Sequence, residues 1–515
     1  ELAGRHPDDP DYQRALAVGY RTRGVQLQLR GDPGGAAEAY REAIARFGRL
    51  AARHADVADY RQELAETHVN LATLLLKAGK RKEAERAYRD ALAPLGRLVE
   101  QFGDDRGYRE QLGRAHLNLA ALLYDDRRPV EAERSLLKAR ELFGKLAEDY
   151  PTVADYRQYL GMCFTTLGAI LRAAGRPPDA ERMWRDAVSV FGRLAREFPA
   201  LPGYRQELAR AHHNLGILLT DLNRPDDAQA EHRAALELRQ QLAAGYPDDW
   251  VYRLELASSH GRLAVAQARG NQLKKAEDSF RRAVAGLDEA EGRFPDQPAI
   301  WAEQARHQGD LAALLTALSR PRDAEPCLRG RAAAQEKLAA KYPDEPARQA
   351  DVGMTLHRLG GLLLARGEAD EAARCLEKSA GRWRAAWERS RAPAHQAALC
   401  AACLDLARAQ VRGRDHAAAD RTAAELEKSA PVAWPGFAEA AAAAAGCAAL
   451  AEKDEKLPAA KRKALARAYG DRAMALLRKA AAAGFKDADR LKGDEFKPLG
   501  GREDFKELLA QMARK

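Results

Sequence analysis

At 515 residues the chain is long enough for several domains or for one extended repeat array. Aromatic residues make up only 6% while Ala, Leu, Arg and Glu dominate, a helix-forming vocabulary that argues against a sheet protein. The 84 basic residues against 75 acidic ones leave +9, and no dense basic block carries interleaved aromatics, so the charge reads as solvated helix surface and no nucleic-acid partner is expected.

The chain opens at Glu1 in mid-pattern, which is expected of a piece of a longer protein. Tyr12, Tyr60, Tyr108, Tyr156, Tyr204 and Tyr252 then follow one another at intervals of 48 residues, and Ile300 and Arg348 hold the register. A ninth unit begins near His395, one residue early. Two columns of small residues keep the same period. One runs Ala36, Ala84, Ala132, Ala180, Ala228, Ala276, Ala324, Ala372 and, after the slip, Ala419. The other runs Gly24, Ala72, Ala120, Gly168, Gly216, Ala264, Ala312, Gly360 and Ala407. Where two helices cross closely, larger side chains would push the axes past roughly 8–10 Å.

Each unit reads as two helices. In the second unit Asp59 is the expected N-cap, with Gln62 completing a capping-box-like pair. Leu64, His68, Leu71 and Leu75 recur at helical spacing as a buried stripe. Gly79 stops the helix, Lys80-Arg81-Lys82 turns the chain, and Ala84, Tyr88, Ala91, Leu95 and Leu98 mark the second helix. Prolines at 151, 199, 247, 295 and 343 break the chain between units.

The pattern from Asn70 to Leu92, N-L-[AG]-x-L-L, Gly, then E-A-E-x-x-Y-R-x-A-L, resembles a tetratricopeptide repeat. Ala72, Leu75, Ala84, Tyr88 and Ala91 fall on that family's small–Leu–Ala–aromatic–Ala columns, in units longer than its usual repeat. The resemblance implies an all-α, right-handed superhelical solenoid: nine repeats over residues 1–428, a Pro/Trp linker over 429–436 and a helical cap over 437–515. In the cap, Leu491, Phe496, Leu499, Phe505 and Leu508 are expected to fold back and cover the apolar side of the last repeat.

A narrower resemblance comes from "HPDDPDY", "FGRL", "AACLDLA" and the ending "KAAAAGFKDADRLKGDEFKPLGGREDFKELL". These are similar to the C-terminal regions of planctomycete serine/threonine protein kinases. That likeness implies a kinase domain upstream, since the chain carries no Gly-rich phosphate loop, no His-Arg-Asp loop and no Asp-Phe-Gly.

Catalysis needs unlike groups converging on one point, whereas a period of 48 residues lays like residues in rows. The row His68, His116, His212 and His260 shares its column with Tyr20 and Phe164, so packing is expected in place of a zinc site. Cys400-Ala-Ala-Cys403 lacks both a second pair and a strand–turn–helix setting, and reads as small core residues. The six cysteines follow no disulfide rhythm, which favours a reducing compartment. The most apolar run, near Ala440–Ala451, is too short to span a bilayer. A cytoplasmic location is expected, or a membrane tether through an upstream segment. No enzyme activity, cofactor or metal is expected from these residues.

The row Asn70, Asn118 and Asn214 is the sharpest functional candidate. In tetratricopeptide domains the first helix of each unit lines a groove, and an Asn there commonly binds a peptide backbone. An amide suits that task because it both donates and accepts. The same face projects Glu66, Thr73 and Lys77, Arg114 and Asp125, Arg172, Arg210 and Thr220, Arg262 and Arg269, and Arg306. A protein or peptide partner is therefore expected. Arg61, Arg109, Arg157, Arg205 and Arg253 form a second ladder, expected to stack on tyrosines or to pair with acidic residues.

Overall fold

The structure, a computed structural model, describes residues 9–431 and 435–513. Nine helix pairs run in chain order: α1 (Pro10–Leu29) with α2 (Pro33–Arg53), α3 (Ala58–Lys77) with α4 (Arg81–Gln101), α5 (Arg106–Asp125) with α6 (Pro129–Asp149). Then follow α7 (Ala154–Ala173) with α8 (Pro177–Glu197), α9 (Pro202–Asp221) with α10 (Pro225–Gly245), and α11 (Trp250–Arg269) with α12 (Leu273–Arg293). The last three are α13 (Pro298–Ala317) with α14 (Pro321–Lys341), α15 (Pro346–Ala365) with α16 (Ala369–Ser390), and α17 (Pro393–Arg412) with α18 (His416–Ser429). The fold is an all-α, tetratricopeptide-like stack.

The chain forms two compact units. One is built from the chain up to Pro247 plus Val265–Asn271, and the other from Asp248–Ala264 plus Gln272 onward. In each, most helices pack on their neighbours in sequence, and in the first unit successive first helices (α1, α3, α5, α7, α9) also touch.

Two size-matched column pairs set the spacing. The Ala36–Ala419 column is completely buried throughout. The Gly24–Ala407 column is buried too, and its glycines face the side chain sixteen positions later. A Cβ on Gly24 would lie 2.7 Å from the Tyr40 ring, on Gly168 2.6 Å from the Trp184 indole, and on Gly216 2.6 Å from the His232 ring. Ala120 instead stands in the register of Leu136. A second pair repeats the rule thirty positions apart. Gly113 and Gly161 meet Phe143 and Phe191 at 2.9 and 2.7 Å, whereas Ala65 packs with the smaller Leu95.

The first helices end in one way. Gly31, Gly79, Arg127, Gly175, Asn223, Asn271, Ser319, Gly367 and Arg414 all have positive φ. They are one column, each one residue past its helix's C-cap. The next amide reaches back to close the helix, as in Lys80 N–H to the Leu75 carbonyl at 2.9 Å and Arg128 N–H to Leu123 at 2.9 Å, with Gly79 N–H to Leu76 at 3.0 Å. This is the Schellman closure, which glycine accepts without strain and arginine does not.

The helix starts depart from expectation. α3 begins at Ala58 with Val57 in the cap position and no side-chain cap, so Asp59 is not the N-cap. It lies in the first turn and pairs with Arg14 at 3.2 Å, while Gln62 reaches Glu66 at 3.4 Å. The cap site is three residues before the tyrosine, and it holds an aspartate only in some units. Asp9 accepts from the N–H groups of Asp11 and Tyr12, Asp105 from Gly107 and Tyr108, and Asp249 from Val251. Nor do Lys80-Arg81-Lys82 form a free turn, because α4 starts at Arg81.

The tyrosine column secures the loops between pairs. Tyr108 meets Phe102, Tyr156 meets Tyr150 and Tyr204 meets Phe198, with ring centroids 5.9, 6.1 and 5.8 Å apart.

Beyond the pairs, α19 (Phe437–Glu452) and α20 (Ala459–Ala482) pack together, followed by two 3₁₀ turns and α21 (Glu503–Ala513). Leu491, Phe496, Leu499 and Phe505 are buried in one cluster with Leu399, Cys400 and Phe437, and Leu508 is half-buried against it. The expected 429–436 linker shortens at one end, since α18 includes Ser429, and Val432–Trp434 lie outside the described residues.

Gly168→Ala drives a methyl into the Trp184 indole, and overpacking of this kind costs about 2 kcal/mol. Combined with Trp184→Leu, which copies Ala120 and Leu136, it is expected to cost less than the sum of the single changes by about 1 kcal/mol in urea denaturation. Arg127→Gly removes a left-handed side chain and is expected to stabilise the protein by about 1 kcal/mol in the same assay.

Candidate functional site: the exposed face of the first helices

The Asn row is held by α3, α5 and α9, whose buried small columns fix their rotation. Asn70, Asn118 and Asn214 are half-buried, and none of the three amides makes a hydrogen bond among the described residues. Asn70 and Asn118 line one cavity of about 230 Å³ together with Glu66, Gln111 and Arg114. Its floor is apolar, made by Ala65, Val69, Leu95 and Ala115. Asn214 lines a second cavity of about 540 Å³ with Arg172, Asp221, Tyr124 and Trp184.

The charged residues projected onto this face are mostly engaged with neighbours. Glu66 accepts from Arg21 at 2.6 Å and from Gln111 at 3.2 Å, bridging three successive repeats. Arg114 lies 5.8 Å from the Tyr159 ring centroid and 3.6 Å from Glu110. Arg172 holds Asp221 through Nη2 at 2.6 Å and Nε at 3.1 Å, and Arg210 pairs with Glu207. Lys77 and Arg269 are exposed at the ends of their helices.

In the second unit the Asn column changes character. Arg262 is half-buried, and it, Arg306 and Arg331 all act on the carboxyl of Asp310. Burial nevertheless raises that carboxyl above its ordinary range. Arg306 pairs with Glu303, which also accepts from Ser258 at 2.8 Å. Glu303 is held well below the usual carboxylate range by hydrogen bonds from His307 and Arg306, which outweigh the opposing effect of its burial.

Two projections were wrong. Thr220 is buried and donates to the Gly216 carbonyl at 2.8 Å. Thr73 donates to the Val69 carbonyl at 2.9 Å and meets the Tyr88 hydroxyl at 3.3 Å. A hydroxyl in a helix satisfies itself on the preceding turn, so neither faces a partner.

The histidine row packs. Burial lowers the basicity of His68, His116 and His260, and His116, with Lys138 adding to the effect, falls to about 4. His212 Nδ1 instead meets Glu231 at 2.6 Å. Cys400 and Cys403 are buried thiols whose ionisation burial pushes up to about 11 and about 12.

Three arginines of the ladder pair with acids and one with an amide. Arg109 meets Asp149 and Arg157 meets Glu197, both at 2.7 Å, Arg253 meets Glu289 at 2.8 Å, and Arg61 donates to Gln101 at 2.7 Å. The first three partners of this chain order, Gln101, Asp149 and Glu197, are the last residues of the second helices.

A further ladder was missed in the sequence. Arg128, Arg176, Arg224 and Arg320 occupy the N-cap position of second helices. Each guanidinium joins an acid of its own first turn to one in the preceding repeat: Glu131 and Glu85, Asp179 and Glu133, Asp227 and Glu181, Asp323 and Glu277. The signal was available as an arginine at the 48-residue period with an acid three residues on.

Residues 160–195 and 208–243 match the tetratricopeptide repeat family model. The helix pairs are tetratricopeptide-like. No curated protein matches the chain by sequence. Among solved structures it is similar to BtubC from P. vanneervenii, at 22% identity and a TM-score of 0.38, covering 51% of this chain and 91% of that one. It is also similar to the apo form of RapI, at 13% identity and a TM-score of 0.40, over 63% and 99% of the two chains. A tetratricopeptide repeat protein from Parabacteroides merdae aligns at 12% identity and a TM-score of 0.37, over 66% and 99%. Among the described residues no helix is long and apolar enough to cross a membrane.

His116 stays neutral in the folded chain and protonates near its ordinary 6.5 when unfolded. Its depressed value makes the unfolded state the better proton acceptor, so stability falls as pH drops from 6.5 towards about 4. His116→Phe, which copies Phe164 of the same column, is expected to flatten that part of the melting-temperature profile.

Proposed function

We propose that this protein is a non-catalytic scaffold that binds an extended peptide or a partner helix along the exposed face of its first helices. The observation that carries this reading is the pair Asn70 and Asn118 on an apolar-floored cavity, each with its amide left unused by the fold. A half-buried amide without a partner is poorly placed for stability and well placed to grip a main chain. Asn214, beside Arg172, extends the same row at the next cavity. Because Arg172, Arg210 and Glu66 are already paired, they would shape and orient the face, leaving Asn70, Asn118, Asn214 and the exposed Lys77 as the principal contacts.

The reading that the array docks substrates for a serine/threonine kinase rests on the tail and repeat sequences alone. The complete reading frame around Glu1–Lys515 tests it directly.

For the scaffold reading, Asn70, Asn118 and Asn214 are changed together to Ala. Partners captured by the wild-type protein are expected to bind the triple variant about tenfold or more weakly, with the circular dichroism spectrum unchanged. Equal capture by both proteins would assign the amides to surface decoration.

A further inference from the structure

Every other arginine of the ladder from Arg61 to Arg253 has an intramolecular partner, and Arg205 does not. The reason is in the register. Gln101, Asp149 and Glu197 receive Arg61, Arg109 and Arg157 from the last position of α4, α6 and α8. The equivalent last residue of α10 is Gly245, which has no side chain to offer. Arg205 makes no ion pair or hydrogen bond among the described residues, and its Nε, like those of Arg61, Arg109 and Arg157, is buried without an acceptor.

Arg205 lines a concavity of about 610 Å³ between α8, α9 and α10, shared with Arg193 and Arg196. Neither of these makes an ion pair or hydrogen bond among the described residues. The nearby Glu197 feels both charges but is bonded to Arg157 at 2.7 Å. No acid lines the concavity, and His212 at its edge is turned to Glu231. Its remaining wall is largely apolar and includes Leu208 and Leu238.

We propose that this concavity is a second docking site, separate from the Asn row, for an acidic peptide segment carrying an apolar side chain. A carboxylate of the partner takes the place of the acid missing at position 245 and pairs with Arg205, while Arg193 and Arg196 receive flanking carboxylates. An arginine fork that lacks an internal acid suits a carboxylate, and three guanidiniums without an ion pair among the described residues favour negative charge at this spot. Leu208 and Leu238 give the apolar side chain its seat.

The test restores the missing acid. Gly245→Glu is accommodated, since a Cβ at Gly245 meets nothing within 4 Å. The probe is a labelled peptide of glutamates flanking a central leucine, followed by fluorescence anisotropy at low salt, with its glutamine counterpart as control. The wild type and Gly245→Ala are expected to bind the glutamate peptide at least about tenfold more tightly than either Gly245→Glu or the double variant Arg193→Ala, Arg196→Ala. The triple Asn→Ala variant is expected to bind it as the wild type does, which separates this site from the Asn row. Equal affinity of Gly245→Glu and the wild type, equal binding of the glutamine peptide, or loss of binding in the triple Asn variant would each overturn the proposal.

Discussion

The close crossing of paired helices is the constraint on which everything else in this molecule depends. It is enforced by size complementarity inside each repeat. A glycine faces Tyr40, Trp184 and His232, and another glycine faces Phe143 and Phe191. Alanine suffices where Leu95 is the opposing side chain. The match is local to each crossing, since Ala17 packs with Phe47 and Gly360 meets Leu376, so neighbouring backbones adjust to the pair present. The alanine column that includes Ala36 and Ala180 never varies and is wholly buried, so its helices have no slack to exchange. With the crossings fixed, helix rotation is fixed, and so is the identity of the residues left facing out.

Electrostatics contributes alignment more than adhesion. The N-cap arginines Arg128, Arg176 and Arg224 are about 40–50% exposed, where solvent screening leaves an ion pair little net worth. Their geometry is nonetheless specific. Each fork spans an acid in its own helix and one in the preceding repeat, so it favours one stagger between successive pairs. The same position would be taken by a capping Ser or Asp in an isolated helix, and the repeats give up that local cap for a bond to their neighbour.

The period, the two small columns and the positions of most helices were legible in the sequence because burial leaves a compositional trace that recurs. The back-folding tail was legible for the same reason, through Phe496, Leu499 and Phe505. Asp59 misled because it stands two positions inside the helix, while the true cap site carries Val57 in that unit and aspartate in others. Thr73 and Thr220 misled because helical projection gives direction but not whether a hydroxyl will bond to the turn behind it. The partners of the arginine ladder lie about 40 residues away at the end of the second helix, a separation that no helical period reveals.

In a repeat array, function has to be sought where the row is broken, because an unbroken row is explained by stacking. Several breaks fall in the fifth repeat. Arg239 takes the position held by Phe143 and Phe191 in earlier units, yet it is buried, with Nη1 3.3 Å from His213 Nδ1. His232 stands where Trp184 and Tyr88 stand, and Gly245 stands where Asp149 and Glu197 stand. A buried guanidinium replaces phenylalanine at a cost unless it is paired within the chain, as Arg239 is. The same repeat keeps Arg205 after losing the acid that would neutralise it. Arg205 with no acid at position 245 is the break that stacking does not explain, and it suits a surface that receives negative charge from outside the chain.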